Sequence, residues 1–297
     1  MNLLKLLPNI KKLKSKRDVS GLVKALSYRK PLRINGHVIS TGEGIRASAA
    51  WALGEIGDPK AVSPLITLLQ VDNDNALIRN NIAWSLGQLR DSYAIEFLVP
   101  LLADADEKLR MTAAEALGKI GDIQGIMQVI PLLKDTSYTV RWYVAWVLGN
   151  TGNKCAVMPL LTCFSEELNK GWLPFENAEP EILNSVFKHA SLALSKIGDT
   201  NAVPHLVAYL KSNELGVRRG AAQALGELRD VCAVKPLLLL LQDKRWSVRL
   251  AAIEALGKIG DTCAVKAISE LLHDTKEEVR RVAIQTLQGF TTREPGH

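Results

Sequence analysis

Apolar residues return along this chain three or four positions apart, the spacing of one helical face, and the pattern as a whole returns about every 31 residues. A segment such as CAVKPLLLLLQD (232–243) is followed by a short polar link and then by a stretch of the form xVRxxAAxALGxIG. Each repeat therefore predicts two helices. Asp, Asn or Ser near the helix starts supplies caps, and the Gly after Leu-Gly-x-Ile ends the second helix. The string ALGEIGD (52–58) recurs as SLGQLRD (85–91), ALGKIGD (116–122), VLGNTGN (147–153), ALSKIGD (193–199), ALGELRD (224–230) and ALGKIGD (255–261), with a decayed copy, TLQGFTT, at 286–292. The spacings of 33, 31, 31, 46, 31, 31 and 31 fit one period with two insertions.

One such pair cannot bury its apolar stripe alone, but stacked pairs share a continuous core. The expected architecture is all-α: a right-handed α-solenoid of about eight helix pairs, with residues 18–28 as the first helix of the first pair and an N-terminal capping helix ahead of it. The whole chain, 1–297, reads as a single repeat domain with a basic capping segment (1–17) and two insertions. The first, 29–44, contains Asn35-Gly36 between apolar flanks and predicts a hairpin. The second, 163–181, is a long loop that includes Trp172, Pro174, Phe175 and Pro180.

The D-x-x-AV-x-x-L…VR-x-x-AA-x-ALG-x-IGD unit resembles the short HEAT repeat of the phycobilisome-lyase type, over roughly residues 15–290. The resemblance implies the solenoid. For function it implies a choice, since such repeats occur in chromophore lyase subunits, in deoxyhypusine hydroxylase and in scaffold proteins. The hydroxylase holds its di-iron centre through His-Glu pairs, and no His-Glu dipeptide occurs in this chain.

Seven repeats carry an Arg seven positions before the Leu of Leu-Gly: Arg46, Arg79, Arg110, Arg141, Arg218, Arg249 and Arg280. With the loop acids Asp58, Asp91, Asp122, Asp199, Asp230 and Asp261 they read as a stapling ladder, because a guanidinium can fork onto a carboxylate or carbonyls of the adjacent repeat. The fifth repeat has Phe187 in the Arg slot and the fourth ends in Asn153, both beside the long insertion.

Indexed from the Arg, positions +3, +4, +6 and +7 are apolar or small, while +1, +2, +5 and +9 are variable and expected to face outward. The +5 slot holds Trp51, Trp84, Glu115, Trp146, Leu192, Gln223, Glu254 and Gln285. The +1 and +2 slots hold Asn80-Asn81, Trp142-Tyr143 and Lys188-His189, among others. If second helices line a concave wall, Trp51, Trp84, Trp142, Tyr143 and Trp146 form an aromatic stripe, with Asn80, Asn81, Glu115, Lys188 and His189 around it and the loop residues Trp172 and Phe175 at one end. Aromatic side chains bury large area at small entropic cost and are favoured anchors for partners.

Composition narrows the classes. No apolar run approaches the ~18 residues that span a bilayer, and the lysine-rich start is not a secretory signal, so a cytoplasmic protein without a membrane span is expected. The net charge of +6 is concentrated in residues 1–46, with 11 Lys and Arg against Asp18 and Glu43. That head suits an anionic surface, whereas the rest of the chain argues against a nucleic-acid clamp. Cys155, Cys232 and Cys263 occupy one repeated slot, too far apart to pair, and read as small buried hydrophobes; Cys163 lies near the long insertion. No Walker-type loop or HExxH is present, and no catalytic or metal-binding constellation is found.

The function expected is therefore a non-catalytic protein-interaction scaffold that recognises another protein or peptide along the second-helix wall, without a cofactor. The alternative, implied by the resemblance, is a phycobilin lyase subunit or bilin-handling protein, with a bilin held by the aromatic stripe and Lys188, His189 or Arg219 near its propionates.

Overall fold

The computed structural model describes residues 8–29, 32–34, 37–40, 42–71, 75–169, 192–194, 196–213 and 215–292. They fall into two compact units, Met1–Val147 and Leu148–His297, each built from stacked helix pairs. The first opens with α1 (Ile10–Ser15), then α2 (Val19–Leu26) and α3 (Glu43–Ile56). Between α2 and α3, β1 (Leu32–Ile34) and β2 (His37–Ser40) pair antiparallel with Ile34 opposite His37. The pairs α4 (Val62–Val71) with α5 (Ala76–Leu89), α6 (Ile95–Leu98) with α7 (Glu107–Ile120), and α8 (Ile123–Val129) with α9 (Tyr138–Thr151) follow. Among the described residues the chain is all-α apart from the short hairpin.

The first helices α6 and α8 are short for a local reason. Each passes into a 3-10 turn, Val99–Ala103 and Ile130–Lys134, whose second residue is Pro100 or Pro131. Proline has no amide hydrogen and its ring collides with the carbonyl four residues back, so the α-helical ladder stops there.

The second unit contains α10 (Val157–Asn169), helical residues 192–194 and 196–197, α11 (Ala202–Tyr209) with α12 (Leu215–Leu228), α13 (Val234–Leu240) with α14 (Trp246–Ile259), and α15 (Val265–Glu270) with α16 (Glu277–Thr292). In both units the Leu of each Leu-Gly is fully buried, as at Leu53, Leu86, Leu117, Leu225 and Leu256, and the +3 and +4 alanines pack with it. Most of the 163–181 insertion, with Trp172 and Phe175, lies outside the described residues, as do Phe187, Lys188 and His189.

The arginines do staple neighbouring repeats, but with a different set of acids from the one expected. Arg110 forks onto Asp135 at 2.8 Å through both Nε and Nη2. Arg218 forks onto Asp243 at 2.7 and 3.2 Å, and Arg249 onto Asp274 at 2.6 and 2.7 Å; Arg79 pairs with Asp104. Each partner lies 25 residues ahead, in the turn between the two helices of the next repeat. The same guanidinium donates through Nη1 to the carbonyl of its own turn, as Arg110 does to Asp104 O and Arg249 to Asp243 O, both at 2.8 Å. One arginine thus ties two successive turns together.

The loop acids paired with the arginines in the sequence reading do something else. Asp58, Asp91, Asp122, Asp230 and Asp261 accept the amide two residues on, at 2.8–2.9 Å, and cap the helix or 3-10 turn that follows. Asn153 caps Cys155 N in the same way at 3.0 Å, so Asn for Asp leaves this turn intact: a side-chain carbonyl oxygen serves as well as a carboxylate.

The three cysteines of the repeated slot are not the buried hydrophobes expected. Cys232 and Cys263 are exposed and Cys155 is half-buried, while Cys163 is buried. The slot is the middle of a 3-10 turn whose next residue, Ala156, Ala233 or Ala264, points into the core instead.

Second helices end in the left-handed conformation, which Gly57, Gly121, Gly152, Gly198 and Gly260 adopt with φ between 65° and 80°. Arg90 and Arg229 occupy the same position at φ 55° and 53°, where a Cβ costs about 1–2 kcal/mol. Both side chains are exposed. Arg90→Gly and Arg229→Gly are each expected to raise stability by about 0.5–1 kcal/mol, read as a higher urea midpoint; an unchanged or lower midpoint would show that the arginine side chain compensates for its backbone.

Candidate aromatic interface

The second helices of the first unit stand side by side, α3 against α5 and α5 against α7, and their +5 positions form a row. Trp51 on α3 and Trp84 on α5 stack with centroids 6.0 Å apart and planes 22° from parallel. On α9, Trp142 meets Tyr143 edge-on at 5.6 Å, and Tyr143 meets Trp146 at 5.4 Å. Trp51 and Trp146 keep 41% and 37% of their surface exposed; Trp84, Trp142 and Tyr143 are half-buried.

Polar side chains join the two aromatic groups. Tyr143 donates its phenol hydrogen to Glu115 on α7, and Lys119, one turn further along α7, pairs with Glu115 at 2.7 Å. Lys119 Nζ also lies 5.9 Å from the Trp84 ring centre. The amide oxygen of Gln88, in the orientation that satisfies both donors, accepts from Trp84 Nε1 at 3.2 Å and Lys119 Nζ at 2.6 Å. At the other end, Lys14 of α1 stands 4.4 Å over Trp51 and pairs with Glu55. Burial and the adjacent Glu115 carboxylate push the Tyr143 phenol far above its ordinary range, so it stays protonated and remains a donor.

The structure thus brings Trp51, Trp84, Glu115, Trp142, Tyr143 and Trp146 onto one face and gives Asn80 and Asn81 a different role. Asn81 Nδ2 donates to Ala47 O on α3 at 3.1 Å, and Asn80 Oδ1 accepts from Thr112 on α7 at 2.5 Å. Both asparagines are engaged in holding neighbouring helices. The +1 and +2 slots are accordingly not uniformly outward: Ala47, Gly220 and Ala251 are buried.

Lys14, Gln88 and Lys119 were not singled out from the sequence. Gln88 and Lys119 occupy the +9 slot, one helical turn beyond +5, and that spacing could have flagged them. Nothing local ties Lys14 to Trp51.

Among the described residues no group of three or more His, Cys, Asp and Glu side chains is placed to hold a metal ion. No helix among them is long and apolar enough to cross a membrane.

Stacked helix pairs with capped turns, tied across repeats by Arg79, Arg110, Arg218 and Arg249, define a helical repeat protein. The family model for HEAT repeats matches residues 40–117, 95–170 and 210–288, well over half of the chain, and the protein belongs to that family. No curated protein matches it. Among solved structures, the CpcE–CpcF complex of phycocyanin lyase from Nostoc sp. PCC7120 is 25% identical, over 77% of this chain and 94% of that one, with a TM-score of 0.43. Human deoxyhypusine hydroxylase in complex with glycerol is 22% identical over 95% and 99%, with a TM-score of 0.37. An engineered protein is 23% identical over 95% and 80%, with a TM-score of 0.45.

Proposed function

We propose that this repeat protein is a non-catalytic scaffold that binds a partner protein or peptide on the second-helix face of its first unit. The observation that carries the reading is the row from Trp51 to Trp146, two aromatic clusters joined through Lys119 and Glu115, with large exposed rings at both ends. Rings in the +5 slot do not build the repeat, because Gln223, Glu254 and Gln285 fill the same slot in the second unit. Exposed aromatic surface held in place by hydrogen bonds and ion pairs is what a preorganised binding site requires.

The test is partner capture from the source cell by the full chain carrying Trp51→Ala and Trp146→Ala, against the unmodified chain and Leu239→Ala. Leu239 is 74% exposed and lies on a first helix of the other unit, so it controls for loss of any exposed apolar group. The aromatic variant is expected to lose at least tenfold in capture, with unchanged helical circular dichroism and melting. Equal capture would refute the site, and loss of fold would make the rings structural.

The bilin alternative is separated by mixing the protein with phycocyanobilin. A shifted and intensified visible band that disappears in the aromatic variant would favour it over the scaffold.

A further inference from the structure

Two of the three +5 tryptophans on the first unit already face a cation. Lys14 Nζ stands 4.4 Å from the Trp51 ring centre and Lys119 Nζ 5.9 Å from that of Trp84, within the ~6 Å over which the negative ring face attracts an ammonium. Each of these lysines is also paired with a carboxylate, Lys14 with Glu55 and Lys119 with Glu115. The slot therefore assembles the same triple twice: an indole face, an ammonium over it, and a carboxylate beside the ammonium.

At the third tryptophan two of the three parts are in place. Trp146 is 37% exposed, and its ring lies against Tyr143, whose phenol holds the Glu115 carboxylate. Among the described residues no lysine or arginine lies over it. Glu115 keeps acceptor capacity, since an ionised carboxylate offers about four lone-pair positions and, among the described residues, Tyr143 and Lys119 alone bond to it.

We propose that Trp146, with Tyr143 and Glu115, is the subsite for a lysine or arginine side chain of the bound partner, which completes the triple that the chain's own lysines complete at Trp51 and Trp84. This inference rests on the partner-binding reading above and names the chemistry of its occupant. Charge is compatible with it. Beyond residue 46 the acidic side chains outnumber the basic ones by three, so the repeats do not repel a cationic segment as the head would. Tyr143 adds a neutral ring wall beside Trp146 and holds Glu115 through its phenol.

The experiment is a titration of the full chain, 15N-labelled at its indoles, with N-acetylarginine methylamide and with its neutral isostere N-acetylcitrulline methylamide. The readout is the Trp146 indole N–H signal, identified by its loss in Trp146→Phe. The arginine compound is expected to bind at least about fivefold more tightly than the citrulline compound. Glu115→Gln should reduce that preference to about twofold or less without changing citrulline binding. Equal affinities, or no shift of the Trp146 signal with either compound, would overturn the subsite. The outcomes separate from those of the capture test. Capture lost in the aromatic variant with no arginine preference removes the cation subsite and leaves the interface. An arginine preference with unchanged capture leaves the subsite and removes the interface.

Discussion

Arg249→Met is expected to destabilise the second unit by about 3–5 kcal/mol, the cost of leaving one member of a largely buried ion pair without the other. Arg249 and Asp274 keep only 12% and 5% of their side-chain surface exposed. The guanidinium makes two bonds to the carboxylate and a third to Asp243 O, so its removal strips Asp274 of its main counter-charge and leaves it the Lys276 amide and the Thr275 hydroxyl. Because repeats unfold in part independently, the loss should appear first as faster amide exchange in α15 and α16, ahead of α12. The double variant Arg249→Met with Asp274→Leu is expected to recover most of the loss, since two apolar groups leave no buried charge behind. A single variant as stable as the parent would show that the fork does not staple.

The same pair sets a pH dependence with a definite sign. Asp274 is held below the ordinary carboxylate range, chiefly by the Arg249 hydrogen bond and against the effect of burial. Asp104 is lowered chiefly by the Asp106 amide. In Asp135 and Asp243 burial pushes upward, but the hydrogen bonds from Arg110 and Arg218 and the turn amides overcome it. A carboxylate depressed in the folded state contributes stability that is fully present above its unfolded pKa of about 3.9 and is lost as pH falls through the folded value. The stability gap between the parent and Arg249→Met should therefore be widest near neutral pH and narrow below about pH 4. Urea titrations at pH 7 and pH 3 measure it, and a gap that widens in acid would contradict the assignment.

Gly226→Ala is expected to cost about 1–3 kcal/mol, although alanine is the better helix former. A Cβ built on Gly226 would lie 2.6 Å from Ala255 Cα and 2.8 Å from Ala255 Cβ, so the clash is with the backbone of α14 and α12 would have to move away from it. The same close approach recurs between Gly87 and Ala116 Cα, also at 2.6 Å. Gly44→Ala is the control. A Cβ there meets nothing within 4 Å, and this exposed helical position is expected to gain up to about 1 kcal/mol. One substitution with opposite signs at two sites isolates helix contact from helix propensity; a gain at both would mean that α12 and α14 separate at no cost.

Much of this protein was legible in the sequence because it is written in local chemistry. The repeat period, the helix pairs, the Asp and Asn caps, the glycines that end second helices and the hairpin flanking Asn35-Gly36 depend on residues within one turn or one pair of one another. The aromatic slots were legible for the same reason: Trp51, Trp84 and Trp146 stand where Gln223, Glu254 and Gln285 serve in other repeats of the chain, and a helix presents positions in a fixed order.

What the sequence could not assign was partnership across repeats. Asp91 ends the repeat of Arg79 and Asp104 lies in the next, and only the turn-to-turn stacking shows that Asp104 meets the guanidinium while Asp91 caps the chain that follows it. Asn80 and Asn81 sit beside an aromatic slot by numbering, yet the approach of α3 and α7 engages both in helix-to-helix hydrogen bonds. Lys14 reaches Trp51 because α1 packs on α3, and Glu115 reaches Tyr143 because α7 lies beside α9. Periodicity determined which face each residue takes; the distance between stacked helices decided which residue on the next repeat it touches.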